Sequence, residues 1–162
     1  MDKSIEKIHL YELVKDFDVA MLATHSGGLI HARPMVIARI ETEMIAYLIT
    51  DNNSIKVEEI NANSNALLTL QGPRKFASIS GNIAELNDRT LIELMWKETW
   101  QVWFPKGKTD PSITLLKFTA TAGEYWDNAG MKGLKYVYSA AKAFVSGEKP
   151  ETSKEQHAKI SI

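Results

Sequence analysis

Leu29-Ile30-His31-Ala32-Arg33-Pro34-Met35-Val36-Ile37-Ala38-Arg39-Ile40, then Glu41-Thr42-Glu43, then Met44-Ile45-Ala46-Tyr47-Leu48-Ile49-Thr50, decides the fold. Two apolar runs flank three polar residues, which reads as two strands and a turn. Pro34 cannot donate to a ladder, so it belongs on an edge or at a bulge. Toward the N-terminus, Ser26-Gly27-Gly28 is a turn and Val19 to Thr24 a shorter apolar strand. Three strands this close in sequence pair antiparallel.

Further strands follow. Ala66 to Leu70, Phe76 to Leu86 and Thr114 to Trp126 bring the number to six, with Gly81 marking a bulge. Helices fill the gaps. Ile5, Ile8, Leu13, Val14 and Phe17 fall on one helical face of the first sixteen residues. Asp51 to Asn53 caps a helix running to about Asn61, and Asn87-Asp88 caps another that buries Leu91, Leu94 and Met95. Trp100 to Pro111 reads as an aromatic loop. Leu134, Val137, Tyr138, Ala141, Phe144 and Val145 keep helical spacing up to Gly147. The expected fold is mainly β: a small antiparallel six-stranded barrel with flanking α-helices, not a parallel α/β sheet. It forms one domain over residues 1–147, followed by a mobile polar tail over 148–162.

The bulk numbers fit this reading. The chain has 162 residues, 44% hydrophobic and 24% charged, within the ordinary globular range. A net charge of −1 gives no strong attraction to nucleic acid or to an anionic membrane. No cysteine is present, which removes disulfides and thiolate chemistry and accords with a reducing cytoplasm. No stretch approaches the roughly 20 apolar residues of a membrane span, and the N-terminus lacks a signal-peptide pattern.

Two groups of residues suggest chemistry. Thr50, Ser54 and Lys56 sit where a strand ends and a helix begins. A helix N-terminus offers unpaired N–H groups, to which two hydroxyls and an ammonium add donors for a phosphate. Arg33, on the neighbouring strand, adds a forked grip. The same residues also suit a plainer role, with Ser54 capping the helix and Lys56 in solvent. Trp96, Trp100, Trp103, Phe104 and Trp126 supply aromatic walls. Trp96 and Trp100 read as core, whereas Trp103-Phe104-Pro105 lies in a loop rich in chain breakers. His9, His25, His31 and His157 show no metal-ligand spacing, although His25 and His31 flank one turn and would meet across it. Lys132, Lys135 and Lys142 read as a solvated helix face. The sequence contains no Gly-x-Ser-x-Gly motif.

Three segments in this order, Ala32-Arg33-Pro34-Met35, Thr50 to Lys56 and Glu124-Tyr125-Trp126, resemble the FMN-binding split-barrel family. These are the pyridoxamine 5'-phosphate oxidase-like proteins, and the resemblance points to their general stress protein 26 branch. The segment from Trp103-Phe104-Pro105 through Gly107 to Asp110-Pro111 resembles that branch as well. The likeness runs from about Phe17 to Gly147. It implies an FMN-binding homodimer with the flavin at the subunit interface. Ser54 and Lys56 would hold the phosphate, and Arg33 the phosphate and ribityl part. Main-chain groups along Pro34, Met35 and Val36 would follow the flavin edge, and Thr50 the flavin or ribityl chain. Trp103 and Phe104 would wall the ring, and Trp126 would reach a flavin held mainly by the other subunit.

Two departures matter. The family's Ser-Arg-Lys triplet reads Ser54-Ile55-Lys56 here, leaving Arg33 or Lys75 to compensate. True pyridoxamine phosphate oxidases carry an Arg-x-His segment after the last strand. Asp127-Asn128-Ala129-Gly130-Met131-Lys132 follows here, so vitamin B6 oxidation is not expected. The resemblance implies an oxidoreductase exchanging hydride at flavin N5, with a link to stress. A non-catalytic flavin sensor or store and a deazaflavin-dependent reductase are the alternatives. Some split-barrel relatives bind haem, for which His157 is a candidate ligand, but the phosphate-binding residues would then lack a purpose.

Overall fold

Six strands close on themselves in the computed structural model, which describes residues 3–128 and 157–162. In chain order they are β1 (Val19–Ser26), β2 (Leu29–Ile40), β3 (Ile45–Asp51), β4 (Asn65–Gln71), β5 (Lys75–Leu86) and β6 (Ile113–Asp127), all paired antiparallel. The ring runs β3-β2-β1-β4-β5-β6 and closes through β3–β6 pairing. Helix α1 (Lys3–Val14) precedes the barrel, α2 (Ile55–Ala62) joins β3 to β4, and α3 (Arg89–Met95) follows β5.

The β1–β2 connection is a two-residue hairpin, with Ser26 opposite Leu29. Gly27 and Gly28 have φ of 58° and 79°. This left-handed pair matches the twist of the flanking strands and suits glycine. The bulge expected near Gly81 is present, and its extra residue is Thr121 on the facing strand: Ser80 pairs with Ala122 and Gly81 with Ala120. A Cβ on Gly81 would strike the Thr119 carbonyl and the Phe118 ring, so the two backbones approach only because glycine is there. A second irregularity, between Ile37 and Arg39, carried no sequence signal.

Pro34 is accommodated by strand geometry. The Ile37 amide donates to Asp18 O on the β1 side. Amide directions alternate along a strand, so position 34 faces the opposite edge. There β3 has already parted from β2, because their pairing starts at Val36. The missing donor costs no ladder bond.

Two hydrophobic clusters hold the structure. The larger fills the barrel with Leu22, Leu48, Leu68, Leu70, Ile79, Ile83, Leu116 and Phe118 and is completed by Leu10, Leu13 and Val14 of α1. The smaller lies outside, between β3–β6 and the segment after α3. It contains Tyr47, Ile49, Ile113 and Leu115 with Ile92, Met95, Trp100 and Phe104.

Some expectations need correction. Ile5 and Ile8 are exposed, and α1 buries Leu10, Leu13 and Val14 instead. Leu94 is exposed, because Ile92 and Met95 take the inner positions of α3. The Trp100–Pro111 segment contains two 3-10 helices, Glu98–Val102 and Gly107–Thr109, with Trp100 in the core. The polar tail includes a strand: β7 (His157–Ser161) pairs with the C-terminal half of β6. Beyond its pairing with β3, β6 still offers free ladder positions, and alternation puts Ala158 and Ile160 inward there. The helix expected up to Gly147 lies outside the described residues.

Candidate functional site

The end of β3 opens into a cleft of about 430 Å³. Arg33, Pro34, Met35 and Val36 of β2 form one wall, and Ile49, Thr50 and Asp51 of β3 the floor. Lys56 of α2 stands at one end and Trp103 with Phe104 along the other side. Eight of the ten residues singled out in the sequence therefore line one space. Phe104 is buried, whereas Trp103 is 58% exposed.

Ser54 occupies the N-cap position of α2, so the cap is this residue and not Asp51 to Asn53. Its backbone is extended, as a cap requires, yet its side chain makes no cap bond. Its Oγ is buried with no hydrogen-bond partner. Asp51 accepts the Asn53 amide through Oδ1 at 2.7 Å, shaping the turn before the helix. An orphaned hydroxyl of this kind costs free energy unless something binds it.

The cationic end is built by α2 and β2 together. Burial, and then the nearby Arg33 charge, pull the Lys56 ammonium below its ordinary range. Arg33 is itself held. Its guanidinium donates to Thr24 Oγ1 at 2.5 Å and to Glu59 Oε2 at 2.7 Å. Glu59 also accepts from Thr24 at 2.8 Å, and its other oxygen lies 2.7 Å from His31 Nδ1. Glu59 is only 7% exposed. The His31 contact, with the bonds from Thr24 and Arg33, holds its carboxyl down at about 2.

Sequence reasoning missed this Glu59 network. The sequence does not distinguish Glu59 from its neighbour Glu58; only the fold buries it, together with Val57 and Ile60. A charge buried there needs partners. His31 and Arg33, two residues apart on one strand face, supply them.

Other residues lie elsewhere. Trp126 is outside the cleft, near the far end of β6 from Ile113, and opposite Phe76 and His157. Lys75 sits at that same far end, with its ammonium 5.5 Å from the Phe17 ring centroid, and so does not replace the missing arginine within this chain. His25 pairs with Ile30 and His31 with Thr24, so the two histidines point to opposite sheet faces and do not meet. His157 Nε2 lies 2.7 Å from Glu124 Oε1. Among the described residues no three His, Cys, Asp or Glu side chains gather as a metal site. No helix among them is long and apolar enough to cross a membrane.

A closed six-stranded antiparallel barrel with a cleft at its rim, cationic at one end and aromatic along one side, defines the split-barrel class. The chain belongs to the "pyridoxamine 5'-phosphate oxidase like" family, whose sequence profile matches residues 4–151. Solved structures of the general stress protein 26 branch share its fold. One provisionally named general stress protein 26, from Jannaschia sp. CCS1, superposes with a TM-score of 0.76 at 22% identity, covering 100% of each chain. A Clostridium acetobutylicum protein of the pyridoxinephosphate oxidase family, related to general stress protein 26 of B. subtilis, has a TM-score of 0.68 at 25% identity. That match covers 78% of this chain and 91% of the other. A general stress FMN/FAD binding protein from Xanthomonas citri has a TM-score of 0.68 at 24% identity, covering 78% and 92%. No curated protein matches the chain.

Proposed function

We propose that the cleft binds a flavin mononucleotide and that the chain works as a homodimeric FMN-dependent oxidoreductase. The observation that carries this reading is the orphaned Ser54 hydroxyl, two residues before a lysine that is part-buried and repelled by Arg33. A phosphate dianion at this end of the cleft would relieve the repulsion between the cations, and the Ser54 hydroxyl, buried beside the cleft and outside its lining, would have to turn to donate to it. Trp103 and Phe104 then wall an apolar ring, and the open edge of β2 offers main-chain groups to its polar rim. The volume falls within the ~300–1,000 Å³ of small-molecule sites. The Xanthomonas citri relative, described as an FMN/FAD binding protein, points the same way.

A bound flavin would supply hydride exchange at N5. The chain's part is to bind, orient and shield. Lys56, Ser54 and Arg33 anchor the charged end, and Glu59 fixes where Arg33 points. Glu59 is held ionised by three donors, which suits positioning and not proton transfer.

The placement of Trp126 supports the homodimer reading. Strand register puts Pro34, Met21, Thr69, Ser78 and Glu124 in one row across the outer sheet face, with Trp126 in the next row. Along the sheet Pro34 and Trp126 lie four strands apart, and because the barrel is closed that row curves round its outside. Val19, Met21 and Phe76 are exposed on it. A two-fold partner laid on this face would carry its Trp126 to the first copy's cleft, and the reverse.

The visible spectrum of the purified protein tests the cofactor. A flavin band, with FMN released on denaturation, is the expected result. Lys56→Ala should weaken FMN by about 1.5–3 kcal/mol, the range for a charged hydrogen bond. Unchanged affinity would remove Lys56 from the phosphate site. Many turnovers of NADH or NADPH per flavin would mark an enzyme, and stoichiometric binding without turnover would not.

A further inference from the structure

We propose that His157, carried to β6 by the last strand, is the positioning residue that sets the plane of the Trp126 ring. The proposal deepens the flavin reading, because it makes the C-terminal strand part of the ring site. His157 stands directly opposite Trp126 in the β6–β7 register. The two rings lie nearly parallel, at 9°, with centroids 5.1 Å apart. The imidazole is also held on its polar side, because Nε2 reaches Glu124 Oε1 at 2.7 Å. Glu124 lies two residues before Trp126 and shares its sheet face, and Lys159 Nζ approaches the same oxygen at 3.7 Å.

The consequence is steric. A tryptophan on an exposed strand face has several open rotamers. Here Phe76 stands opposite it on β5 and His157 opposite it on β7. The stacked imidazole covers one side of the indole and selects one ring plane. A ring held in place before binding loses less freedom when a planar ligand arrives. Glu124 matters because it keeps the imidazole from turning out of the stack. A sequence window ending at Trp126 could not show this, since the partner residue follows 31 positions later.

The test is a double-mutant cycle on the full chain, with FMN as the probe. FMN affinity is read from flavin fluorescence, and the Trp126 signal from near-ultraviolet circular dichroism as the difference from Trp126→Ala. His157→Ala should weaken FMN about three- to tenfold, the size of one aromatic pair, and abolish the Trp126 band. Adding it to Trp126→Ala should cost nothing more, because the histidine acts through the tryptophan. His157→Phe keeps a ring and should restore both signals, whereas His157→Gln keeps a hydrogen bond to Glu124 and should restore neither. Additive losses, or an unchanged Trp126 band in His157→Ala, would overturn the proposal. Should His157→Ala fail to fold, the Phe and Gln variants decide. Equal behaviour of those two would reduce His157 to strand pairing. If the wild-type protein takes up no FMN, the flavin reading fails, and the band alone then decides whether His157 holds Trp126.

Discussion

The barrel meets its surroundings differently on two outer faces. Over β3 and the N-terminal half of β6 the chain wraps itself: α3, the following 3-10 helix and the turn after it bring Ile92, Met95, Trp100 and Phe104 onto Tyr47, Ile49, Ile113 and Leu115. Over β1 and the start of β5, Val19, Met21 and Phe76 stay 49%, 40% and 39% exposed. Strand β1, Val19 to Ser26, contains no Asp, Glu, Lys or Arg. A strand apolar on both sides ordinarily has both sides covered. One face is therefore finished by its own sequence, and the other keeps apolar side chains part-exposed within one chain. The candidate cleft lies between them, with Phe104 from the finished side and Pro34 from the unfinished one.

The largest effect should come from the finished face. Trp100 is 3% exposed, and Trp100→Ala removes its central ring. The expected loss is about 3–5 kcal/mol of stability, read as a lower urea midpoint with or without FMN. A loss under about 1 kcal/mol would mean that this cluster is cladding and not core.

Glu59, at the barrel end beneath the cleft, should come next. Glu59→Ala strands Arg33 and the Thr24 hydroxyl and should cost about 2–3 kcal/mol. The network also fixes a pH dependence. The carboxyl titrates at about 2 in the folded chain against 4.5 as the ordinary glutamate value. The folded state holds that proton less tightly, so the stabilisation is complete above pH 4.5 and is lost as pH falls toward about 2. Melting curves across that window should show the loss in the wild type and a flatter profile in Glu59→Gln. Identical profiles would show that Glu59 is not the group responsible.

Much of this was legible because each feature was local. Apolar runs bounded by turn residues marked the six barrel strands, Gly27-Gly28 the hairpin, and Pro34 an edge or bulge of β2, of which the structure has the edge. Eight of the ten site residues converged on one cleft because they sit on adjacent strand ends and the helix that follows. What escaped depends on distance along the chain. Glu59 meets Thr24, His31 and Arg33 across 35, 28 and 26 positions, and no periodicity announces such a meeting. Strand β7 escaped because five residues ending a polar stretch gain their meaning only from the free edge of β6. Ile5, Ile8 and Leu94 misled because an apolar side chain is not obliged to be buried.

The smallest effect on folding should come from the unfinished face, and it sharpens the comparison most. Met21→Glu and Phe76→Glu place a charge where each side chain is part-covered within one chain, so monomer stability should fall by about 1 kcal/mol at each. The same charges should be costly if a second copy lies there, because two of them would meet near the two-fold axis without partners. Sedimentation equilibrium should then show a dimer for the wild type and a monomer for the variants. FMN affinity should fall by about as much as in Trp126→Ala, since the partner's tryptophan leaves with the partner. A dimer that survives both substitutions would place the interface elsewhere. A monomeric wild type that loses FMN affinity in Trp126→Ala would require the distant end of β6 to reach the cleft of its own chain. The register from Ile113 beside Asp51 to Trp126 beside His157 does not allow that.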